Sequence, residues 1–480
     1  MNIMPRSLDE AQGGSAAPRL IARTLADFVH DLSPGAIPAE VRERARHLML
    51  DATGIALAST RYEFAHKAAT AIAGLGGAGE VPVIGLPLRL PARDAALLNG
   101  ILAHGLDFDD THTGGVIHAT ASAWPATLSA ACMRGASGAD LVAAYVAAVE
   151  TATRLAAVGS GPFHQVGFHP TGLIGVFGCA LAAGKLVGLP PSALVMAQGI
   201  ALSMAAGSLE FLEDGAWTKR MHPGWAAQSG ITAAALAQAG FVGPSRAYEG
   251  RFGLFKSYLQ EGFEPERWGR ATAGLGETWE TMAVAVKPMP ACHFTHACAD
   301  AAIALARQHK LRAEDVERIT ALVPAEVVKT VCEPEANKRR PANAYDAQFS
   351  IPYLVAASLV RGRFTLAELE PEVLADETIL GLCQRVDYKV DPRSTFPRHY
   401  CGEVHIRLRD GRTLQHREAM NRGCADRPLS NAEIVEKFMG NARMSLSASR
   451  AEEVCAAVLG LEAAADARPV LDRLCQVQAR

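Results

Sequence analysis

From about Leu20 to Gly240 the apolar positions recur with the period of a helix. In EVRERARHLMLDATGIALAS (40–59), Val41, Ala45, Leu48, Ala52, Ile55 and Ala56 share one stripe, the spacing that turns one face of a helix toward a core. ADLVAAYVAAVETATRLAA (139–157), PPSALVMAQGIALSMAAG (190–207) and WAAQSGITAAALAQAG (225–240) behave alike and are rich in alanine, so closely spaced helices are expected. Several are apolar on most faces, which predicts helices surrounded on all sides.

Near Thr281 the period changes. MAVAVK (282–287) alternates at period two, RITALVP (318–324) reads as a second strand, and GEVHIRLRDGRTLQHREA (402–419) alternates Val404, Ile406 and Leu408 before the hairpin pair Asp410-Gly411. Helical stretches such as THACADAAIALARQH (295–309) lie between these strands. After NRGCADRPLS (421–430), Ser430 is positioned to cap a helix opening at NAEIVEKF, and the remaining chain is again helical. The predicted fold class is mainly α. A large all-helical domain is built from both chain ends, 1–282 and 424–480, with a smaller α+β domain inserted at 283–423. Met1 to Pro18 reads as a loose polar tail.

Charge and composition narrow the function classes. At 480 residues the chain is long enough for this division. Lys+Arg total 47 against 50 Asp+Glu, a formal charge of -3, so no basic field exists to capture nucleic acid or an anionic membrane, and small-molecule partners are expected. Ten cysteines are scattered without a CxxC pair, which favours a reducing compartment. The opening carries neither a charged-then-apolar leader nor an Arg-rich transit sequence. The run LIGVFGCALAAG (173–184) stops at Lys185, short of the roughly 20 residues that span a bilayer. A cytoplasmic protein is expected.

Three motifs invite readings that their context denies. Gly74, Gly76 and Gly79 in GLGGAG fit a dinucleotide fingerprint, but a helical stretch precedes them and strand-like VPVIG follows. Pyrophosphate binding needs the reverse order, so a helix stop is expected. HFTH (293–296) has helical spacing without the HExxH or paired CxxC of a zinc site. DFDDT (107–111) is like the magnesium-binding clusters of terpene synthases, yet a second Asn/Asp-Ser-Glu cluster is missing and aromatic residues make up only 6%. No metal and no organic cofactor are expected.

HGLDFDDTHTGGVIH (104–118) reads differently. Asp107, Asp109, Asp110, His112 and His118 gather between helices in a loop carrying Gly114 and Gly115. Burying that many titratable groups unpaired would cost several kcal/mol each, so they are either solvated or part of a site, and titratable clusters concentrate in functional clefts. Three more clusters share the chemistry. FHQVGFHPTG (163–172) carries His164 and His169 in a turn before a helix, WTKRMHPGWAAQSG (217–230) carries Lys219, Arg220 and His222 just before another, and VKPMPACHFTH (286–296) carries Lys287, Cys292, His293 and His296 at a strand-to-helix connection. Cations and imidazoles at helix entries suit carboxylates, because free N–H groups and the positive helix end add to the lysine charge. Together they predict a pocket for a small polyanion.

At these residues the sequence resembles the MmgE/PrpD family, whose members include 2-methylcitrate dehydratases, cis-aconitate decarboxylases and iminodisuccinate epimerases. The match runs in order through HGLDFDDTH, GFHPTG, TKRMHPGWAAQSG, KPMPACHFTHACADA, AYDAQFSIPY and NRGCADRPLSNAEIVEKF. The resemblance implies an all-helical domain with an α+β lid, a homodimer, and an active site between the domains without metal or organic cofactor. Carried over position by position, it implies a catalytic pocket of Asp107, Thr111, His118, His169, Lys219 and Lys287, with His222 at the third motif. Where the decarboxylases carry a histidine five residues after the lysine matching Lys287, this chain has Cys292, with His293 beside it.

These reactions form or protonate a carbanion-like centre next to a carboxylate, which needs fixed positive charge and a base of nearly neutral pKa. The expected roles are clamping of carboxylates by Lys219 and Lys287, proton exchange by His118 or His169, and orientation by Asp107 and Thr111. His293 would join from the lid, while Cys292 and His222 would contact substrate. The expectation is a hydro-lyase of the 2-methylcitrate dehydratase type, with cis-aconitate-type decarboxylation and iminodisuccinate-type epimerisation as alternatives. A carboxylate-binding protein without catalysis would need the lysines but no base.

Overall fold

The computed structural model describes residues 19–159, 161–260 and 264–475, so the tail read at Met1 to Pro18 lies outside the described residues. Helix accounts for 60% and strand for 8%, which makes the chain mainly α. Helix Ala39–Ser59 is buried at every position from His47 to Ser59, as its alanine-rich sequence demands. Helix Gly138–Gly159 is long and apolar enough to cross a bilayer, an extent that the run ending at Lys185 does not reveal, and 94% of its apolar window is buried inside the protein.

The helices approach closely where glycine permits. Helix Thr218–Gln238 packs against Pro170–Leu186 and Ala92–Ala103. A Cβ on Gly224 would stand 2.1 Å from the Leu97 carbonyl oxygen, and one on Gly100 would stand 2.4 Å from the Gly224 Cα. Backbone cannot yield as a side chain can, so Gly224→Ala is expected to cost at least about 1–3 kcal/mol through overpacking. Because the same helix carries Lys219, thermal melting and substrate affinity should both fall.

The helix also begins earlier than expected. TKRMHPG reads as a turn before Trp225, but helix starts at Thr218 and carries Pro223 inside it. A proline this close to the N-terminus removes a single ladder bond, to the Lys219 carbonyl, and leaves the first turn intact. Lys219, Arg220 and His222 are therefore fixed on a helix rather than on a loop.

Beyond Thr281 a four-stranded sheet runs in the order Val386–Val390, Val316–Val323, Gly402–Leu408, Thr413–Glu418. The first pair is parallel and the others antiparallel. Helix His296–His309 packs on the sheet and against helix Ile351–Arg361. The edge strand Val386–Val390 escapes a period-two reading because its burial decays along its length. MAVAVK is mostly not strand: Glu280–Ala283 forms a 3-10 turn, and only Val284–Ala285 finds a partner, Thr111–His112. The glycines of GLGGAG close helix Glu63–Gly76, with Gly77 at φ 72° as its cap.

Two contacts seat the segments that carry the charged residues, the one leading to Lys287 and the one around Phe108. Buried Glu150 pairs with Arg154 and accepts from Thr281 N at 2.8 Å, Thr281 Oγ1 at 2.6 Å and Glu280 N at 3.0 Å. Near the C-terminus, helix Asn431–Ala442 opens on a Ser430/Glu433 capping box and lies along Ala39–Ser59. There Lys437 pairs with Asp51 at 2.7 Å and reaches the Phe108 carbonyl at 2.7 Å.

Candidate active site

One cavity is lined by Asp107, Thr111, His118, His169, Lys219, Lys287, Cys292 and His293. Segments more than a hundred residues apart in the chain meet there. His118 precedes helix Ala119–Arg134, His169 precedes Pro170–Leu186, and Lys219 lies in the first turn of Thr218–Gln238. Three positive helix ends therefore face one volume, which favours anions. His222 does not line the cavity. It stands behind His169, one Nδ1 donating to the other across 3.0 Å, so its expected contact with substrate gives way to support of His169.

Asp107 is the hub. Its Oδ1 accepts from Lys219 Nζ at 2.8 Å and from Lys287 Nζ at 2.9 Å, and Lys287 also donates to the Asp107 carbonyl at 2.9 Å. Burial alone would raise its pKa, but the two ammonium groups outweigh burial and hold it well below the carboxylate range. Burial would likewise lower Lys287, and Asp107 with Asp109 instead raises it. Among the described residues the Asp107 Oδ2 is buried without a partner. Asp107 sits at φ 49° and Val116 at φ 51°, a region sparsely used by side-chain-bearing residues and strained for a β-branched one.

The three aspartates of the loop have diverged. Asp109 Oδ2 lies 2.8 Å from His104 Nδ1 and 3.5 Å from His118 Nδ1. Its pKa is held below the usual range, because His104 and His118 overcome the effect of burial. Asp110 has no such partner, and burial pushes it up to about 7. The sequence offers no means of separating these roles: Asp109 belongs to the charged cluster but not to the expected catalytic pocket, and His104 to neither.

His118 Nδ1 lies 2.6 Å from the Asp110 carbonyl oxygen. A carbonyl only accepts, so Nδ1 carries the proton and Nε2 keeps the lone pair. Thr111 Oγ1 stands 3.4 Å from the same Nδ1. Burial, opposed by Asp109 and reinforced by Lys287 and Lys219, keeps His118 well below the ordinary imidazole pKa. Burial with Lys219 does the same to His169, and burial with Lys287 pushes His293 down to about 3. The cavity thus combines fixed ammonium and carboxylate charge with neutral imidazoles.

His293 is oriented by Asn421, whose Nδ2 donates to His293 Nε2 at 2.8 Å while its Oδ1 accepts from Tyr400 N at 2.9 Å. Asn421, within NRGCADRPLS, is a positioning residue that residue type alone does not single out. Burial and Asp107 push the Cys292 thiol up to about 11, so it meets a ligand as a neutral group. The Phe349 ring lies 4.8 Å from Lys219 Nζ and adds a cation–π contact. One nitrogen from each of His104, His118 and His169 lies within 4.8 Å of the others, close enough for one cation. The ammonium groups on neighbouring Asp107 oppose a further positive charge there.

Comparison with known proteins adds a second line of support. Residues 23–266 match the MmgE/PrpD N-terminal domain, and residues 289–462 match the MmgE/PrpD C-terminal domain. The chain is 30% identical over 462 residues to human cis-aconitate decarboxylase, covering 92% of each chain. It is 29% identical over 471 residues to a cis-aconitate decarboxylase-like protein of Aspergillus oryzae, covering 94% of this chain and 96% of the relative. To cis-aconitate decarboxylase of Aspergillus terreus it is 26% identical over 478 residues, covering 95% and 96%.

Proposed function

This chain belongs to the MmgE/PrpD family, and from that premise we propose that it is a cofactor-independent lyase acting on a small di- or tricarboxylate, with decarboxylation of a cis-aconitate-type substrate as its reaction. The observation that carries this reading is the Lys219–Asp107–Lys287 cluster facing an imidazole, His118, whose tautomer is fixed by a backbone carbonyl. The names of the relatives favour decarboxylation over the dehydration expected from sequence.

In this mechanism Lys219 and Lys287 hold the substrate carboxylates. The bound polyanion adds negative charge around His118 and raises its pKa, so the imidazolium forms in the complex. One C–C bond breaks, carbon dioxide leaves, and the electron pair remains on the adjacent carbon, spread toward a carboxylate that the ammonium groups stabilise. His118 Nε2 delivers its proton to that carbon. Asp109 balances the imidazolium, and residues 283–423 act as a lid on a helical body formed by 1–282 and 424–480, in a homodimer.

Cys292, standing where the decarboxylases it resembles carry histidine, favours a second reading, dehydration. There His118 removes a carbon-bound proton and a second acid protonates the departing hydroxyl. Separate incubation with cis-aconitate, 2-methylcitrate, citrate and iminodisuccinate in deuterated water, followed by proton NMR, distinguishes these. Consumption of cis-aconitate with one deuterium in the product is expected. Loss of water from 2-methylcitrate without carbon dioxide release would move the reaction to the second reading. Binding with no exchange or turnover of any of the four would leave a carboxylate-binding protein.

A further inference from the structure

The charged cavity is not a closed chamber. Val116, His164, Leu209, Leu212, Phe294 and Thr330 line it and also line a second, outer space. Four of these six shared residues are apolar, so the neck between the spaces is an apolar collar.

One wall of the passage is aromatic throughout. Tyr400 lines the inner cavity, Phe294 lines both spaces, and Phe396 lines the outer one. Their rings are in contact, with centroids 4.8 Å apart for Phe294 and Tyr400 and 5.9 Å for Phe294 and Phe396. Leu209 and Leu212 contribute the apolar residues that the segment after helix Pro191–Leu202 brings to the same neck. Among the described residues the outer lining carries Glu210, Glu213 and Glu326 against a single lysine, Lys329.

A bare tricarboxylate has its charged partners, Lys219 and Lys287, in the inner cavity, and the collar offers no cation. We infer that the passage is a subsite for an uncharged alkyl tail, so that the substrate class is a polycarboxylate bearing an aliphatic substituent several carbons long. Its carboxylates meet Lys219 and Lys287, and its tail leaves past Leu209, Leu212, Phe294 and Phe396. The three glutamates disfavour a tail that ends in a carboxylate, which would meet like charge at the exit. This inference rests on the lyase reading above and specifies its substrate.

The test is a series of cis-aconitates substituted with linear chains from hydrogen to n-hexyl, assayed on the full-length protein. Burying a methylene is worth about fourfold in binding, so kcat/KM should rise two- to fourfold per carbon before levelling as the tail reaches solvent. Ala325→Trp, at an exposed position in the outer space, should lower the hexyl-to-hydrogen ratio of kcat/KM at least tenfold. A flat or falling series with measurable turnover of the unsubstituted acid would overturn the tail subsite and leave the lyase reading standing. Turnover of no member of the series would overturn the decarboxylase reading on which this inference rests.

Discussion

His118→Gln is expected to lose turnover by about 10²- to 10⁴-fold, the range a general acid or base contributes, while still binding substrate and melting near the wild-type temperature. The geometry separates chemistry from stability here. His118 gives its Nδ1 proton to a backbone carbonyl and keeps Nε2 for the ligand, and a glutamine amide preserves a donor without a transferable proton. Asp109→Asn tests the group behind it, by way of pH. In the complex the protonated imidazole must persist for the carbon to be protonated, so kcat falls as pH rises through the pKa of His118. Removing the carboxylate 3.5 Å from Nδ1 takes away a charge that raises this pKa. The alkaline limb of the kcat profile should therefore move to lower pH. A purely structural role for Asp109 would reduce the rate without moving that limb.

The second large effect concerns Asp107→Asn. It leaves Lys219 and Lys287, both buried, without their shared counter-charge, and breaking one side of a buried pair typically costs about 3–5 kcal/mol. The pH window follows from the shifts. Asp107 is depressed in the folded protein, so its stabilisation is present above its unfolded pKa, about 3.9, and is lost as pH falls through the folded value. Lys287 is raised, so its stabilisation is present below about 10.4 and is lost as pH climbs through the folded value. The urea midpoint of Asp107→Asn should lie furthest below wild type near neutrality, with the gap closing toward acid. Alkali should narrow it as well, since a buried Lys287 without its carboxylate sheds its proton readily. Adding Lys287→Met should restore part of the lost stability and none of the activity. An Asp107→Asn protein as stable as wild type at pH 7 would mean that the lysines find other partners.

The sequence reveals the helices well because burial on several sides leaves an alanine-rich period that nothing local disguises, as in Ala39–Ser59. It reveals the charged site because aspartate, lysine and histidine are costly to bury and stand out from an apolar background. It conceals what depends on distance in space. His222 and His169 look equivalent by residue type, yet only His169 reaches the cavity. Asp109 and Asp110 are neighbours, but only Asp109 meets two imidazoles. Asn421 acts through His293, more than a hundred residues away in the chain. Pro223 misleads because its local preference for a turn is overridden within a helix that already has packing on several sides.

The two-residue ladder between Thr111–His112 and Val284–Ala285 couples the strand of chain that carries Asp107 to the one that carries Lys287. Glu150 clamps the latter to the core helix. The two charged segments are thereby tied to one another and to the body, while the space they line borders the outer one along Leu209, Leu212, Phe294 and Thr330. The field that steers the reaction is thus already in force when the guest arrives.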